Sequence, residues 1–392
     1  VPDLTRMHHP RVVAGDFSHA LHHLHAGLSD ANIKALDRSH GTFAVVVENA
    51  ATLVWDNAAC LAGVGIVVMP LPQNEPEVER FLVAGVPRDV TPGLSPLTDM
   101  LSRVVANYTK TDYDWFGDDR LTVGGRTLLM GVLNVTPDSF SDGGRFFDTK
   151  AAVEHGLTMA AEGADIIDVG GCSTRPGSVE PTEAEEIART LPVIEKLRAK
   201  SDVPISIDTW RAEVATRALD AGADVINDVT ALTRDEAILA LAASRDVPVV
   251  LMHMQGTPAD MQTDPHYDDM MAEITRFLSR AVDRAEAGGV RRNRIAIDPG
   301  FGFGKTVRHN LEMLDRLHEF RSLGCPVLIG TSRKSTIGKV LDREADARLL
   351  GTAATVALAV TRGAAIVRVH DVREMTDVVR MTEAVLRRSD DH

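Results

Sequence analysis

From about residue 120 to its end, this chain alternates short apolar runs with amphipathic stretches, eight of each in strict order. No other feature restricts the possible fold so sharply. The runs are T-L-L-M-G-V-L, A-D-I-I-D-V-G, V-P-I-S-I-D, A-D-V-I-N-D, V-P-V-V-L-M-H, R-I-A-I-D-P-G, C-P-V-L-I-G and A-A-I-V-R-V-H-D. Helices are expected over 183–200, 212–221, 268–287, 309–323, 348–361 and 372–386. The apolar runs do not alternate in polarity, as strands covered on both faces need not. Eight βα units in roughly 250 residues is the count that closes a (β/α)8 TIM barrel. A doubly wound open sheet is the alternative, and the count of eight favours closure.

Each run ends on a polar residue: Asn134, Asp168, Asp208, Asn227, His253, Asp298, Ser332 and His370. In a barrel these positions converge at the C-terminal mouth, where catalytic groups collect. Any one could simply cap the next helix. Eight together, five of them acidic or amide, exceed what capping requires. The first run opens directly into N-V-T-P-D-S-F-S-D-G-G, which offers Asn134, the carboxylates Asp138 and Asp142, and the hydroxyls Thr136, Ser139 and Ser141. These are groups compatible with metal and phosphate.

Residues 1–118 follow a different pattern. F-A-V-V-V-E, V-G-I-V-V-M-P and R-F-L-V-A-G-V read as strands, and F-S-H-A-L-H-H-L-H and 95–109 as helices. A smaller N-terminal α/β domain is therefore expected over 1–118, with the barrel over 119–392. K-T-D-Y-D-W-F-G-D-D reads as the linker, and L-T-V-G-G-R-T-L-L-M as a hairpin turning at Gly124-Gly125. The six early histidines, His8 to His25, match no standard zinc spacing. The formal charge of −14 argues against nucleic acid or an anionic membrane as partner. No run reaches the length of a membrane span, the start lacks the apolar core of a secretory leader, and three scattered cysteines suit a reducing cytoplasm.

The strand ends divide into two chemistries. One suits a phosphate. G-G-C-S-T-R-P-G puts Ser173, Thr174 and Arg175 in a glycine-flanked loop, and R-V-H-D adds Arg368 and His370. Backbone N–H groups and a two-pronged arginine bind phosphate oxygens. Asn134 can give a neutral oxygen to Mg²⁺. The other chemistry suits a flat nitrogen heterocycle. Asp208, Asn227 and Asp298 end three strands and Lys334 follows the seventh. A carboxylate can accept two parallel N–H bonds from an amidine-like ring edge, and an amide reads a donor beside an acceptor. Internal salt bridging among Asp208, Asp298 and Lys334 is the plainer alternative. P-G-F-G-F-G-K-T is discounted as a P-loop, because Pro299 stands where a glycine is needed. Cys172 has no neighbouring histidine in sequence and is not expected to be a nucleophile. Met252 and Met254 are better read as apolar walls for a planar ligand than as a soft-metal site.

Taken together, N-V-T-P-D-S-F-S-D-G-G, D-V-G-G-C-S-T-R-P-G, S-I-D-T, I-N-D-V, L-M-H-M-Q-G, D-P-G-F-G-F-G-K, S-R-K-S and R-V-H-D-V resemble dihydropteroate synthase over about residues 120–388. The resemblance implies condensation of 6-hydroxymethyl-7,8-dihydropterin diphosphate with 4-aminobenzoate, with Mg²⁺ as cofactor and a homodimer formed through the late helices. It implies that Asp208, Asn227, Asp298 and Lys334 hold the pterin, with Met252 and Phe303 against its faces. Asn134 with Mg²⁺, Thr174, Arg175, Arg368 and His370 would take the diphosphate. Phe140, Pro176, Lys334 and Ser335 would shape the aminobenzoate pocket. The candidate catalytic set is Asp208, Lys334, Arg175 and Asp142. Cys172 departs from the family pattern, which often has glutamate there. The competing readings are a pterin-dependent methyltransferase and a catalytically silent pterin-binding protein.

Overall fold

The computed structural model describes residues 10–14, 42–48, 67–70, 80–87, 92, 95–118, 120–135, 144–172, 180–257 and 260–387. The chain divides into two compact units. One takes Val1–Lys110, Tyr267–Arg280 and His318–Gly324; the other takes Thr111–His266, Ala281–Leu317 and Cys325–His392.

In the first unit four strands, β1 (Arg11–Ala14), β2 (Thr42–Glu48), β3 (Val67–Pro70) and β4 (Arg80–Pro87), form an antiparallel sheet in the order β1-β2-β4-β3. Helix α1 (Pro96–Thr109) covers it. Ser95 opens that helix by accepting a hydrogen bond from the Thr98 backbone N–H at 3.2 Å, and Pro96 takes the first helical position. Alternate strand residues Val45 and Val47, with Phe81, Val83 and Val86, bury against Leu97, Met100, Leu101, Val104 and Val105. Strand β1 was not expected from the sequence. R-V-V-A is four residues long with no polarity pattern, and it is fixed by partners far along the chain. The Val12 N–H donates to the Ser322 hydroxyl at 2.8 Å, and buried Arg11 donates to Glu319 at 3.2 Å. The helix expected over the early histidines lies outside the described residues.

The second unit is the barrel. Its strands are β5 (Leu128–Asn134), β6 (Ile166–Gly170), β7 (Ile205–Asp208), β8 (Val225–Asp228), β9 (Val249–Met252), β10 (Ile295–Asp298), β11 (Leu328–Ile329) and β12 (Ile366–Val369). All pair in parallel in the order β10-β9-β8-β7-β6-β5-β12-β11. A parallel bridge from Ile297 to Val327, with Ile297 N–H donating to the Pro326 carbonyl at 3.0 Å, joins the two ends and closes the ring. The strands are almost wholly buried, which explains their unbroken apolar character.

The helices that follow the strands in turn are α2 (Gly144–Ala161), α3 (Glu183–Arg198), α4 (Ala212–Asp220), α5 (Glu236–Arg245), α6 (Met270–Ala287), α7 (Val307–Asp315), α8 (Ser335–Leu341), α9 (Leu349–Thr361) and α10 (Val372–Arg387). The short α8 is additional to the eight-unit pattern. The helix expected over 309–323 is instead α7 followed by a 3-10 segment, Leu317–Leu323.

Two local expectations are corrected. Gly124-Gly125 does not turn a hairpin. Val123 pairs with Tyr113 instead, and Leu128 enters the barrel by donating to the Ala365 carbonyl. Nor is K-T-D-Y-D-W-F a linker. Tyr113, Trp115 and Phe116 are buried with Leu121 and Val123 against Leu128, Met130, Ile166, Val225, Val250, Ala296, Leu328 and Ile366. Those residues lie on seven of the barrel strands, mostly near their N-terminal ends, so the segment plugs the barrel floor. The Trp115 indole N–H donates to the Arg294 carbonyl at 3.0 Å, which satisfies its one polar atom. Among the described residues no helix is long and apolar enough to cross a membrane.

Candidate functional site

Parallel pairing sets the site. Gly170 lies level with Asp208 and with Asn134, and Asp208 is level with Asn227. Residues level in register on neighbouring strands face the same way. Asn134, Asp208 and Asn227 are thereby gathered at one end of the barrel, and Gly170 between them keeps the space open. A Cβ built on Gly170 would stand 3.5 Å from the Asp208 Cβ and 3.6 Å from Asn134 Oδ1.

A charged cluster occupies this end. Arg368, on β12, donates through Nε to Asp168 Oδ2 at 2.6 Å and through Nη2 to Asp208 Oδ2 at 2.9 Å. Asn227 Nδ2 donates to the same Asp168 oxygen at 3.1 Å. Burial pushes the Asp208 carboxyl up to about 7, against the opposing pull of Arg368. Asp298 is also raised by burial, opposed by Lys334 and by the Gly300 N–H, which donates to its Oδ1 at 2.7 Å.

The loop after β10 builds the second part. Gly300, Gly302 and Gly304 all adopt left-handed φ values of 73°, 84° and 60°. At Gly300 a Cβ would stand 1.8 Å from the His253 carbonyl oxygen, so only glycine fits. This winding brings buried Lys305 back beneath the strand ends. Its ammonium meets three acceptors, His253 Nδ1 and the Gly300 carbonyl at 3.0 Å each and the Phe303 carbonyl at 3.1 Å. Three N–H donors are thus matched by three acceptors, which requires the His253 ring to be neutral at Nδ1. Burial lowers Lys305 to about 7, and burial together with Lys305 takes His253 well below its ordinary value.

Lys334 follows the seventh strand. The preceding Arg333 sits at φ 57°. It is held there by an ion pair with Asp371 and by Arg348, which donates to its carbonyl at 2.9 Å. Lys334 Nζ donates to the Phe301 carbonyl and lies 4.4 Å from the centre of the Phe303 ring. Burial lowers Lys334 to about 8, opposed by Asp298. Among the described residues it makes no ion pair with Asp208 or Asp298, so the expected alternative of internal bridging is replaced by bridging through Arg368.

An apolar wall completes the arrangement. Met252, Cys172, Trp210 and Val229 are buried together, with Met254 and Phe303 packed against them. Burial, then the nearby Glu186, pushes the Cys172 thiol up to about 12, so it stays neutral. His370 keeps to the eighth strand end, where its N–H and Nδ1 meet the Ser332 hydroxyl at 3.2 and 3.0 Å. Ser335 is exposed at the first position of α8. Phe140, Asp142, Thr174, Arg175 and Pro176 lie outside the described residues. Two groups passed over in the sequence reading stand at the centre of the geometry. Asp168 was noted only as a strand end, and Lys305 was set aside with the P-loop resemblance. The signal for Lys305 was three alternating glycines immediately before a lysine, directly after a strand.

Comparison with known proteins follows the same residues. Residues 130–370 match the family of pterin binding enzymes. The dihydropteroate synthase of Synechocystis sp. is 47% identical over 279 residues, covering 71% of this chain and 94% of that protein. The chain belongs to the dihydropteroate synthase family. The Escherichia coli (strain K12) dihydropteroate synthase is 46% identical over 258 residues, covering 66% of this chain and 91% of its own length. Among solved structures, Xanthomonas albilineans dihydropteroate synthase with 4-aminobenzoic acid superposes with a TM-score of 0.66 at 47% identity, covering 71% of this chain and 99% of that one. The same enzyme in complex with 7,8-dihydropteroate gives 0.63 at 45% identity, covering 70% and 98%.

Proposed function

We propose that this protein condenses 6-hydroxymethyl-7,8-dihydropterin diphosphate with 4-aminobenzoate to give 7,8-dihydropteroate and pyrophosphate. The observation that carries this is the Arg368 guanidinium bridging Asp168 and Asp208. A cation able to draw off a diphosphate adjoins the acid able to read the amino edge of a ring. Relatives solved with 4-aminobenzoic acid and with 7,8-dihydropteroate support the same chemistry.

In this reading Asp208, Asn227, Asp298 and Lys334 hold the pterin edge, and Met252 and Phe303 cover its faces. Arg368, His370, Thr174 and Arg175 bind the diphosphate. Phe140, Pro176, Lys334 and Ser335 receive the aminobenzoate, and Asp142 joins Asp208, Lys334 and Arg175 in the catalytic set. The bond from the exocyclic methylene carbon to the diphosphate oxygen breaks first. The dihydropterin ring delocalises the resulting cation, and Asp208 counters its charge. The neutral aniline nitrogen then attacks the methylene carbon and loses its proton to water. Orientation and charge stabilisation do the work, and no covalent enzyme intermediate is needed. The distinctive donors for magnesium are oxygens, and Asn134 ends β5 with its amide oxygen beside Gly170 and Asp208. Among the described residues no group of three His, Cys, Asp or Glu forms a rival metal site. The chemistry Mg²⁺ would supply is neutralisation of charge on phosphate oxygens.

The proposed setting is the cytoplasm and the proposed assembly a homodimer. Helices α9 and α10 pack side by side and expose apolar residues, Leu350 at 82%, Met381 at 66% and Val385 at 64% of their surface. An apolar patch of this kind on a soluble barrel suits a second copy. Light scattering should give twice the chain mass for the wild type and the chain mass for Leu350→Glu; a wild-type monomer refutes the dimer. For the reaction, mass spectrometry of a mixture of the two substrates should detect dihydropteroate, with output falling when Mg²⁺ is chelated. Absence of product with both substrates and Mg²⁺ present overturns the assignment.

A further inference from the structure

We infer that Asp168 is a positioning residue that decides what Asn227 and Arg368 can present to a ligand, and that it couples ring binding to diphosphate binding with opposite signs. The inference rests on the reading above, in which Asn227 meets the ring and Arg368 the diphosphate.

Asp168 stands two residues short of the end of β6 and is fully buried. Its Oδ2 accepts from both Arg368 Nε and Asn227 Nδ2. The other two buried aspartates among the described residues hold backbone. Asp228 accepts from the N–H groups of Thr230 and Leu232, and Asp298 from that of Gly300. Asp168 caps no backbone group among the described residues, and its Oδ1 has no hydrogen-bond partner there. Every hydrogen bond it makes there goes to a side chain of the candidate site. That distinguishes it from a carboxylate kept for the fold.

The consequence for Asn227 is orientation. A carboxylate only accepts, so the amide must turn its NH₂ toward Asp168 and its carbonyl oxygen away. Asn227 then offers a ligand one acceptor and one remaining N–H, a fixed pattern for a ring edge. Without Asp168 nothing at this position fixes the orientation, and the amide is free to offer the reversed pattern. The consequence for Arg368 is charge. Two of the five guanidinium N–H groups bind carboxylates, and an arriving diphosphate must share the cation with both. Removing Asp168 deletes one negative charge beside that cation. In a partly desolvated site a charge at this distance matters.

Opposite signs make the test. With the full chain and Mg²⁺ held constant, calorimetry measures 6-hydroxymethylpterin and pyrophosphate separately. For Asp168→Ala, ring affinity should fall about tenfold while pyrophosphate affinity rises two- to five-fold, and kcat should fall more than KM rises. Asp168→Asn keeps the shape and an acceptor oxygen but not the charge. It should recover part of the ring affinity and retain the full gain for pyrophosphate, and it carries the comparison if the alanine variant does not fold. Parallel losses for both ligands, or no change in either, overturn the inference and leave Asp168 a structural acid. Arg368→Ala tests the underlying reading on its own. If pyrophosphate binding survives that change, Arg368 is not the diphosphate cation, while the ring measurement still decides the role of Asp168 toward Asn227.

Discussion

The two ends of the barrel are made by the same strands and have opposite character. At the floor, Leu128, Ile166, Val225, Val250, Ala296 and Ile366 close over Trp115, Tyr113 and Phe116, and the buried Arg294 is held at the edge by the Trp115 carbonyl and Asp246. At the mouth, a few residues further along those strands, Asp168, Asp208, Asn227, Asp298 and Arg368 gather, and burial shifts the titration of Asp208, Asp298, Lys305 and Lys334. One end is assembled mainly from apolar contacts, with one buried cation that is paired. The other holds desolvated charges that are kept by their partners, Arg368 by Asp168 and Asp208 and Lys305 by three acceptors. Stability and chemistry are thus separated along a strand by about the length of four or five residues, roughly 15 Å.

The separation can be broken by substitution. The largest effect is expected at the mouth. Asp208→Ala should lower kcat by about 10²- to 10³-fold while altering pyrophosphate affinity far less, because the lost carboxylate acts on the ring cation. Single-turnover kinetics beside calorimetry measures both, and equal losses refute the assigned role. Next comes the floor. Trp115→Ala removes a fully buried indole and should cost about 3–5 kcal/mol of stability by denaturant unfolding. Turnover per folded molecule should stay near the wild-type value, and a matching fall in turnover would show that the two ends are coupled.

A smaller effect is expected at Lys305. Lys305→Met removes the cation but keeps apolar length, so the turn Gly300–Gly304 loses two hydrogen bonds and His253 a third. The expected result is about a tenfold loss in kcat/KM from misplaced Phe303 and Lys334, equivalent to about 1.4 kcal/mol. An unchanged value would make Lys305 a core residue only. The smallest effect concerns pH. The raised carboxyls Asp208, about 7, and Asp228, about 6, hold protons more tightly folded than unfolded. Their contribution to stability is present in acid and is lost as pH rises through 6 to 7. Lys305 and Lys334, lowered to about 7 and 8, release protons more easily when folded, so their contribution grows as pH rises above those values. Stability of the ligand-free protein should therefore pass through a shallow minimum near neutral pH. Asp208→Asn should flatten its acid side in urea titrations, and an unaltered profile would remove Asp208 as a cause.

How much of this could be read in advance depends on the range of the interaction that fixes each element. Strand ends such as Asp208 and Asp298 were readable because an apolar run buried on both faces gives out near polar side chains, whereas β6 runs two residues past Asp168. Helix α3 was readable from local chemistry, since Thr182 and Glu185 cap each other across its first turn. The floor plug was not readable. Tyr113 and Trp115 lie among charged neighbours and look solvated until a ring of strands surrounds them. The same holds for β1, whose Arg11 and Val12 find partners more than 300 residues away. At the site, Asn227 and Lys334 could be picked out by position. The hub role of Asp168 could not, because it depends on Arg368 reaching across the barrel from the last strand.

The level pairing of Gly170, Asp208 and Asn227 carries an evolutionary consequence. A one-residue insertion or deletion within β7 would turn Asp208 from the lumen to the helical layer and bring Ile207 or Thr209 inward. Such a lesion is fatal to ligand recognition even if the ring still closes. Lineages that need a modified pocket, for instance to discriminate against a mimic of one substrate, must therefore alter the connecting loops and leave strand length untouched.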